Sequence, residues 1–237
     1  MENYVITISR RFASGGHTIA GELSGILGIP VYDRSAIEAR VLSAREGISV
    51  SESGAPAEES GEAGGAPPEE QAEEKAGGEG KAAGAMAKRF ASGRAVFGKI
   101  FTGARRDKIP EEAQRSFEEQ SRVILSLAQE GSCIVLGRCG DEVFRSHPRC
   151  LNLFIFAPEE VRIKNCMEML HTDRDDALRM IRSEDRAREE YRRLFSSHPE
   201  DETYGRHLLI DSSVLGIEKS AQMIAAVARE KFKEETA

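Results

Sequence analysis

Tyr4-Val5-Ile6-Thr7-Ile8-Ser9 runs into Arg10-Arg11-Phe12-Ala13-Ser14-Gly15-Gly16-His17-Thr18, and the fold of the chain is decided in this stretch. The first six residues read as a short strand, the next ones as a turn of small residues. From Thr18 to Leu27 the apolar residues then recur at helical spacing. Strand, tight turn and helix in that order form a phosphate cradle from backbone N–H groups and the positive end of the helix. The pattern G-x-x-x-x-G-K-[ST] is broken here. Gly15 keeps the second glycine, Arg10 stands at the first, and Gly16 stands where the lysine belongs. Arg10 and Arg11 restore the missing charge in kind. A Ser-Gly-Gly turn alone is also an ordinary strand–helix connection, and both readings stand at this point.

Working outward, strands and helices alternate. Ile29–Tyr32 is a brief second strand and Ser35–Leu42 a helix. Pro110 sits where a first helical residue belongs, and Glu111–Gln129 carries Ala113, Phe117, Ile124 and Leu127 on one face before Gly131 ends it. Cys133–Leu136, Leu151–Phe156 and, less purely, His207–Ile210 are the apolar runs that strands buried on both faces require. Pro158–Leu170, Asp173–Phe195 and Glu218–Phe232 read as helices, the second with a capping-box-like start at Thr172 and Asp175. Five short strands separated by helices predict an α/β fold, a five-stranded parallel sheet covered on both sides. Ligands in such folds bind at the carboxyl ends of the strands, so the loops to examine follow Ser9, Tyr32, Leu136, Phe156 and Ile210.

One segment stands apart. Ser51–Gly80 contains nine Glu, seven Gly, six Ala and three Pro, and no aliphatic larger than Ala, so burial cannot offset its ordering entropy. It reads as a disordered insertion with nine Glu against Lys75. Lys81–Lys108 has the opposite sign, eight Lys/Arg against Asp107, and carries Phe90, Val96, Phe97, Ile100 and Phe101. That block suits an amphipathic helix on a protein partner, or a piece docked on its own chain. The expected organisation is a core in residues 1–50 and 110–237 interrupted by an insertion at 51–109.

The 237 residues carry a net charge of −7, which argues against a general nucleic-acid binder. Cys133, Cys139, Cys150 and Cys166 lack metal-site spacing and read as reduced thiols. The longest strongly apolar run, Cys150 to Pro158, is far below the ~18 residues of a membrane span, and the N-terminus lacks a basic, then apolar, leader. A cytoplasmic protein without membrane association is expected.

Two further groups invite chemistry. Gly137-Arg138-Cys139-Gly140-Asp141 follows the third strand, where a guanidinium suits forked contact with phosphate or carboxylate; a structural ion pair is the plain alternative. Asp185, Arg188 and Arg192 share one helical face in Arg182–Arg193, either as a solvated helix with i,i+4 pairs or as charge stabilisers for phosphoryl transfer.

Together these pieces resemble the cytidylate kinase-like proteins, a branch of the P-loop nucleoside monophosphate kinases. The resemblance rests on Ile8–Ala20 (ISRRFASGGHTIA), Leu27–Asp33 (LGIPVYD), Cys133–Asp141 (CIVLGRCGD), Phe154–Lys164 (FIFAPEEVRIK), Asp185–Tyr191 (DRAREEY) and Asp211–Glu218 (DSSVLGIE), in the expected order. It implies a P-loop-type three-layer α/β/α fold with a helical lid at about residues 182–200. It implies ATP and Mg²⁺ as cofactors, with Arg11, Ser14, Gly15, Gly16, His17 and Thr18 around the donor phosphates and Thr18 at the metal. Asp33, Arg138 and Asp141 match the acceptor side. Asp185, Arg188 and Arg192 on the lid, with Arg10, would carry catalysis.

The chain departs from the kinase pattern in three places. Gly16 replaces the lysine, as is frequent in this branch; Ala13 stands where the branch usually has glycine; and Arg34-Ser35 replaces the Ser-Gly that helps hold the base. The implied activity is ATP-dependent phosphoryl transfer to a nucleoside monophosphate, CMP or dCMP first. The alternatives are a nucleotide-binding regulatory protein that transfers little phosphate, and a kinase for another small acceptor.

Overall fold

The computed structural model describes residues 2–46 and 109–233. The insertion and the basic block expected at 51–108 lie outside the described residues. The elements are β1 (Val5–Arg10), α1 (Gly16–Leu27), β2 (Val31–Tyr32), α2 (Arg34–Glu46), α3 (Glu111–Glu130), β3 (Cys133–Leu136), α4 (Gly140–Val143), β4 (Cys150–Phe156), α5 (Glu159–Leu170), α6 (Arg174–Phe195), β5 (Leu208–Asp211) and α7 (Ser212–Lys231).

The five strands form one parallel sheet in the order β2-β3-β1-β4-β5. The first strand lies in the middle, with Ile8 beside Leu136 of β3 and Leu153 of β4. A central parallel strand is covered on both faces, which is why VITI, CIVL and CLNLFI are buried without alternation. The pleat still divides them. Ile6, Ile8, Ile134, Leu136, Leu153 and Ile155 face α1 and α7, meeting Ile19, Leu23, Ile224 and Ala225. Val5, Cys133, Val135 and Cys150 face the other way, meeting Ile37 of α2, Ile124 of α3 and Phe144. Three layers follow. Each fully buried Ile or Leu contributes about 1.5–3 kcal/mol of transfer free energy against the entropy of ordering the chain.

Outside the two main clusters, α6 bridges. Its first half packs Ala177 and Ile181 on Ile163 and Cys166 of α5 and on Phe12. Its second half packs Tyr191, Leu194 and Phe195 on Ala113 and Phe117 of α3. The helix thus passes from the loop after β1 to the helix beside β3, at the carboxyl ends of the central strands. Several termini differ from the sequence expectation, and three of them show why. Pro110 is the N-cap residue of α3 rather than its first helical residue. The cap of α6 is Asp173, whose carboxylate accepts from Asp176 N at 2.8 Å, not Thr172, because an Asp one residue later reaches the same orphan donors. The last helix begins at Ser212, capped by Asp211, and is interrupted at Gly216 before resuming. Among the described residues no helix is long and apolar enough to cross a membrane.

Candidate active site

The loop between β1 and α1 is held by its carbonyls. Arg11 O accepts from Ser14 Oγ at 2.9 Å, Phe12 O from Arg162 Nη1 at 3.3 Å, Ala13 O from Asn165 Nδ2 at 2.9 Å, and Ser14 O from Ser212 Oγ at 2.7 Å. With four successive carbonyls tied to the protein, the N–H groups of residues 13–18 donate to no protein acceptor among the described residues. Positive φ at Ala13 (57°) and Gly15 (75°) gives the alternating backbone of an anion nest. The first turn of α1 adds the orphan donors and the dipole of a helix N-terminus. This concavity suits a chain of phosphate oxygens, and it is made almost wholly of backbone.

Gly16 is required by its neighbour. A Cβ there would lie 2.9 Å from Arg10 Cβ and 3.1 Å from Arg10 Cγ, so the Arg10 stem fills the space a side chain at position 16 would need. Farther out, a Cβ on Gly137 would lie 2.4 Å from Arg10 Nη1. The guanidinium therefore passes over the end of β3, against a glycine backbone. Burial, then the charge of Arg188, push Arg10 down to about 9; Asp33 opposes this and Arg138 adds to it. It remains a cation at neutral pH. Arg188 and Arg138 are lowered as well, each first by burial. The guanidinium of Arg10 thus lies in the field of two others, Arg188 and Arg138, and an anion beside it would offset their repulsion.

Asp185 has a holding role in this geometry. Its Oδ1 accepts from Phe12 N at 2.7 Å and its Oδ2 from Arg162 Nη1 at 2.5 Å, both side chains being 11% exposed. It clamps the loop to α5 and α6. Arg188, one turn on, donates to Arg10 O at 3.1 Å and stacks over Phe12 at 5.5 Å.

The remaining expected residues divide. Ser14 is buried and its hydroxyl turns back to Arg11 O and Ile155 O. Gly15 caps α1, while His17 and Thr18 are exposed on its first turn. Arg11 turns to the surface, paired with Glu189 and Glu202; against the cost of burial these carboxylates hold its guanidinium above the usual value. Asp33 caps α2, accepting from Ala36 N at 2.9 Å, and contributes its field to Arg10. Arg138 donates to Glu38 at 2.7 Å and lies over the Tyr191 ring at 5.4 Å. Asp141 and Arg192 are brought to each other, 2.9 Å apart.

Sequence reasoning missed Arg206. It is almost fully buried, pairs with Asp141 Oδ2 at 3.2 Å and donates to Ser9 Oγ at 2.8 Å. One carboxylate thus joins α6, the end of β1 and the approach to β5. No motif surrounds Arg206, and its distance in sequence from both partners hides it. Arg162 and Asn165 were missed too, although a helix after β4 carrying polar residues toward the β1 loop was a usable signal. Among the described residues no cluster of three or more His, Cys, Asp or Glu side chains could hold a metal ion.

The comparisons with known proteins agree with this architecture. A model of the cytidylate kinase-like family matches residues 5–214. No curated protein matches the chain. Among solved structures, an uncharacterized protein from Eubacterium ventriosum ATCC 27560 aligns at 17% identity and a TM-score of 0.63, over 95% of this chain and 98% of that one. A shikimate kinase from Acinetobacter baumannii in complex with shikimate aligns at 11% identity and 0.41, over 98% and 96%. A gluconokinase from Sinorhizobium meliloti 1021 aligns at 11% and 0.44, over 96% and 94%. At such identities the first likeness speaks for the fold alone, and the other two are too distant to carry an argument. The family match, in contrast, spans every strand of the sheet and both sides of the Arg10 crevice, and the chain belongs to the cytidylate kinase-like family.

Proposed function

We propose that the protein transfers the γ-phosphoryl group of ATP to a nucleoside monophosphate, CMP or dCMP, in a cytoplasmic setting. The observation that carries the proposal is the pairing of a backbone anion cradle with Arg10, whose stem stands against Gly16 and whose guanidinium lies over Gly137. Donor phosphates fit the N–H groups of residues 13–18, which have no protein acceptor, and a Cβ at Gly16 would meet Arg10. Thr18, on the exposed first turn of α1, is the residue that would hold Mg²⁺. The ion supplies charge neutralisation of the donor phosphates when bound.

The chain's own residues account for the rest. Arg10 places positive charge at the carboxyl ends of β1 and β3, between the donor cradle and Arg138. An oxygen of the acceptor phosphate attacks the γ-phosphorus, the bond to the β–γ bridging oxygen breaks, and that oxygen leaves with ADP. The attacking oxygen is already anionic, so no general base is needed and catalysis is positioning and charge stabilisation. Arg188 joins Arg10 on the migrating group. Asp185 acts through Phe12 N and Arg162 to keep the loop in register with α6. Arg138 holds the acceptor phosphate.

A coupled assay with Mg·ATP against CMP, dCMP, UMP and AMP, beside calorimetric titration of ATP, tests the proposal. Turnover with a pyrimidine monophosphate is expected. ATP binding without turnover on any of the four would remove the nucleoside monophosphate from the account.

A further inference from the structure

A cavity of about 160 Å³ lies away from the Arg10 crevice, beside the amino end of β4. Buried Asp141, Cys150 and Asn152 form its floor, and exposed Arg145, His207 and Lys231 stand around its mouth. The volume takes a small organic molecule as readily as a few waters. Much of the lining is already paired. Asn152 Oδ1 accepts from Thr7 Oγ1 at 2.7 Å and from the Cys150 thiol at 3.0 Å, and its Nδ2 donates to Gly205 O at 3.0 Å. Arg145 is held by Glu142 at 3.2 Å and by the Tyr204 hydroxyl at 2.9 Å. Other groups are not. Asp141 is 8% exposed; its Oδ2 takes Arg192 and Arg206, while its Oδ1 is buried with no hydrogen-bond partner among the described residues. His207 Nδ1 accepts from Asn152 N at 2.8 Å, which places the ring proton on Nε2, a donor with no acceptor among the described residues. Lys231 makes no ion pair among them, and its ammonium lies over the Phe232 ring at 5.9 Å. Burial, then the charge of Lys231, hold His207 below its usual value, so the ring is neutral at pH 7. The Cys150 thiol lies in the fields of Asp141 and Lys231 alike, between floor and mouth.

Floor and mouth ask for different chemistry. A buried carboxylate oxygen without a donor carries a desolvation penalty, which a ligand with an O–H or N–H recovers. Two guanidinium groups already sit on Asp141, so an ammonium entering beside them is repelled, and a neutral hydroxyl is the donor that fits. At the mouth, an ammonium and an imidazole N–H suit an anion that stays half hydrated, and the single full charge there matches a carboxylate. We propose that this cavity binds a small hydroxycarboxylate, whose hydroxyl donates to Asp141 Oδ1 and whose carboxylate accepts from Lys231 Nζ and His207 Nε2. Such a site stands whether or not the protein transfers phosphate. Its floor still touches the crevice at one remove: Arg206, on Asp141 Oδ2, donates to Ser9 Oγ at 2.8 Å, next to Arg10.

The test is a nuclear magnetic resonance titration of the isotope-labelled full chain, followed at the amide signals of Asn152, Gly205 and His207. The probes are lactate, propionate and propylene glycol. Lactate and propionate differ by the hydroxyl alone, and propylene glycol keeps hydroxyls without the charge. Lactate is expected to shift these signals saturably, with a Kd about tenfold or more below that of either comparator, the scale of a hydrogen bond to a charged group. Lys231→Gln, at an exposed position, should leave the unfolding midpoint in place, weaken lactate about two- to fivefold and leave propylene glycol unchanged. Equal affinity for lactate and propionate would overturn the proposal, because the Asp141 oxygen would then not be reading the hydroxyl. Lactate binding indifferent to Lys231→Gln would overturn it at the mouth. No saturable shift with lactate would overturn it as well, and the cavity would hold water only.

Discussion

The stem of Arg10 occupies the space in which a side chain at Gly16 would stand, with 2.9 Å between Arg10 Cβ and a Cβ built at position 16. The Arg10 stem and a side chain at position 16 exclude each other, and in the proposed function Arg10 supplies the cation. A lysine at 16 would reach the cradle from the helix; here an arginine reaches the crevice from the end of the central strand, and the helix start is left bare to let it pass.

Exclusivity at this contact makes a double-mutant prediction. Gly16→Lys alone is expected to cost about 1–3 kcal/mol by overpacking and to lower turnover. Arg10→Gly removes the clashing Cβ together with the charge; Arg10→Ala would not, because the close approach is at Cβ. The combination Arg10→Gly with Gly16→Lys should turn over faster than either single variant, a coupling that a double-mutant cycle of kcat and unfolding midpoint would measure.

Ala13 holds a left-handed backbone at φ 57° while Asn165 pins its carbonyl. Ala13→Gly should stabilise the protein by about 1 kcal/mol, the steric cost of an L side chain in that region less the entropy of glycine. Chemical denaturation at neutral pH gives the value. A loss of stability would mean that the nest is not held in this conformation.

Asp185 is a clamp with two partners. Asp185→Ala leaves Arg162 without its carboxylate and Phe12 N without its acceptor, and should destabilise the fold by about 3–5 kcal/mol. Asp185→Asn keeps an acceptor for Phe12 N and should cost less. Both should weaken ATP binding in isothermal titration, Asp185→Ala more.

Arg188→Ala should lower kcat by about 10²–10³, the scale of removing one donor to a developing charge. Single-turnover rates with the fold checked by circular dichroism distinguish this from structural damage. An unchanged rate would confine Arg188 to its hydrogen bond with Arg10 O.

All four cysteines are free and buried, and burial pushes the Cys133 and Cys150 thiols up to about 12. At pH 8 they stay protonated in the folded protein. Alkylation should be slow natively and complete on unfolding, as mass spectrometry of the labelled chain would show.

The sheet was legible because its central strands are buried on both faces, and VITI, CIVL and LFIF have no polar face to confuse with a helix. Helix α4 was not, since four residues after the left-handed Arg138 and Cys139 leave no period to read. In the crevice, Arg10, Arg138 and Arg188 could be named from their places at strand ends and on α6. Their partners could not. Glu38 is one helical turn from Arg34, but its contact with Arg138 crosses from α2 to the end of β3. Asp141 and Arg192, both expected at the ligand, also pair with each other and with Arg206, a triad that only the tertiary fold assembles.

The most direct test of the central claim is the rate of phosphoryl transfer from Mg·ATP to CMP in Arg10→Met, which keeps an unbranched stem over Gly16 and removes the charge. The account predicts a fall in kcat of about 10² or more with ATP binding retained by the backbone cradle. A variant that transfers phosphate as fast as the wild type would contradict it, and the cation of this active site would have to be sought elsewhere.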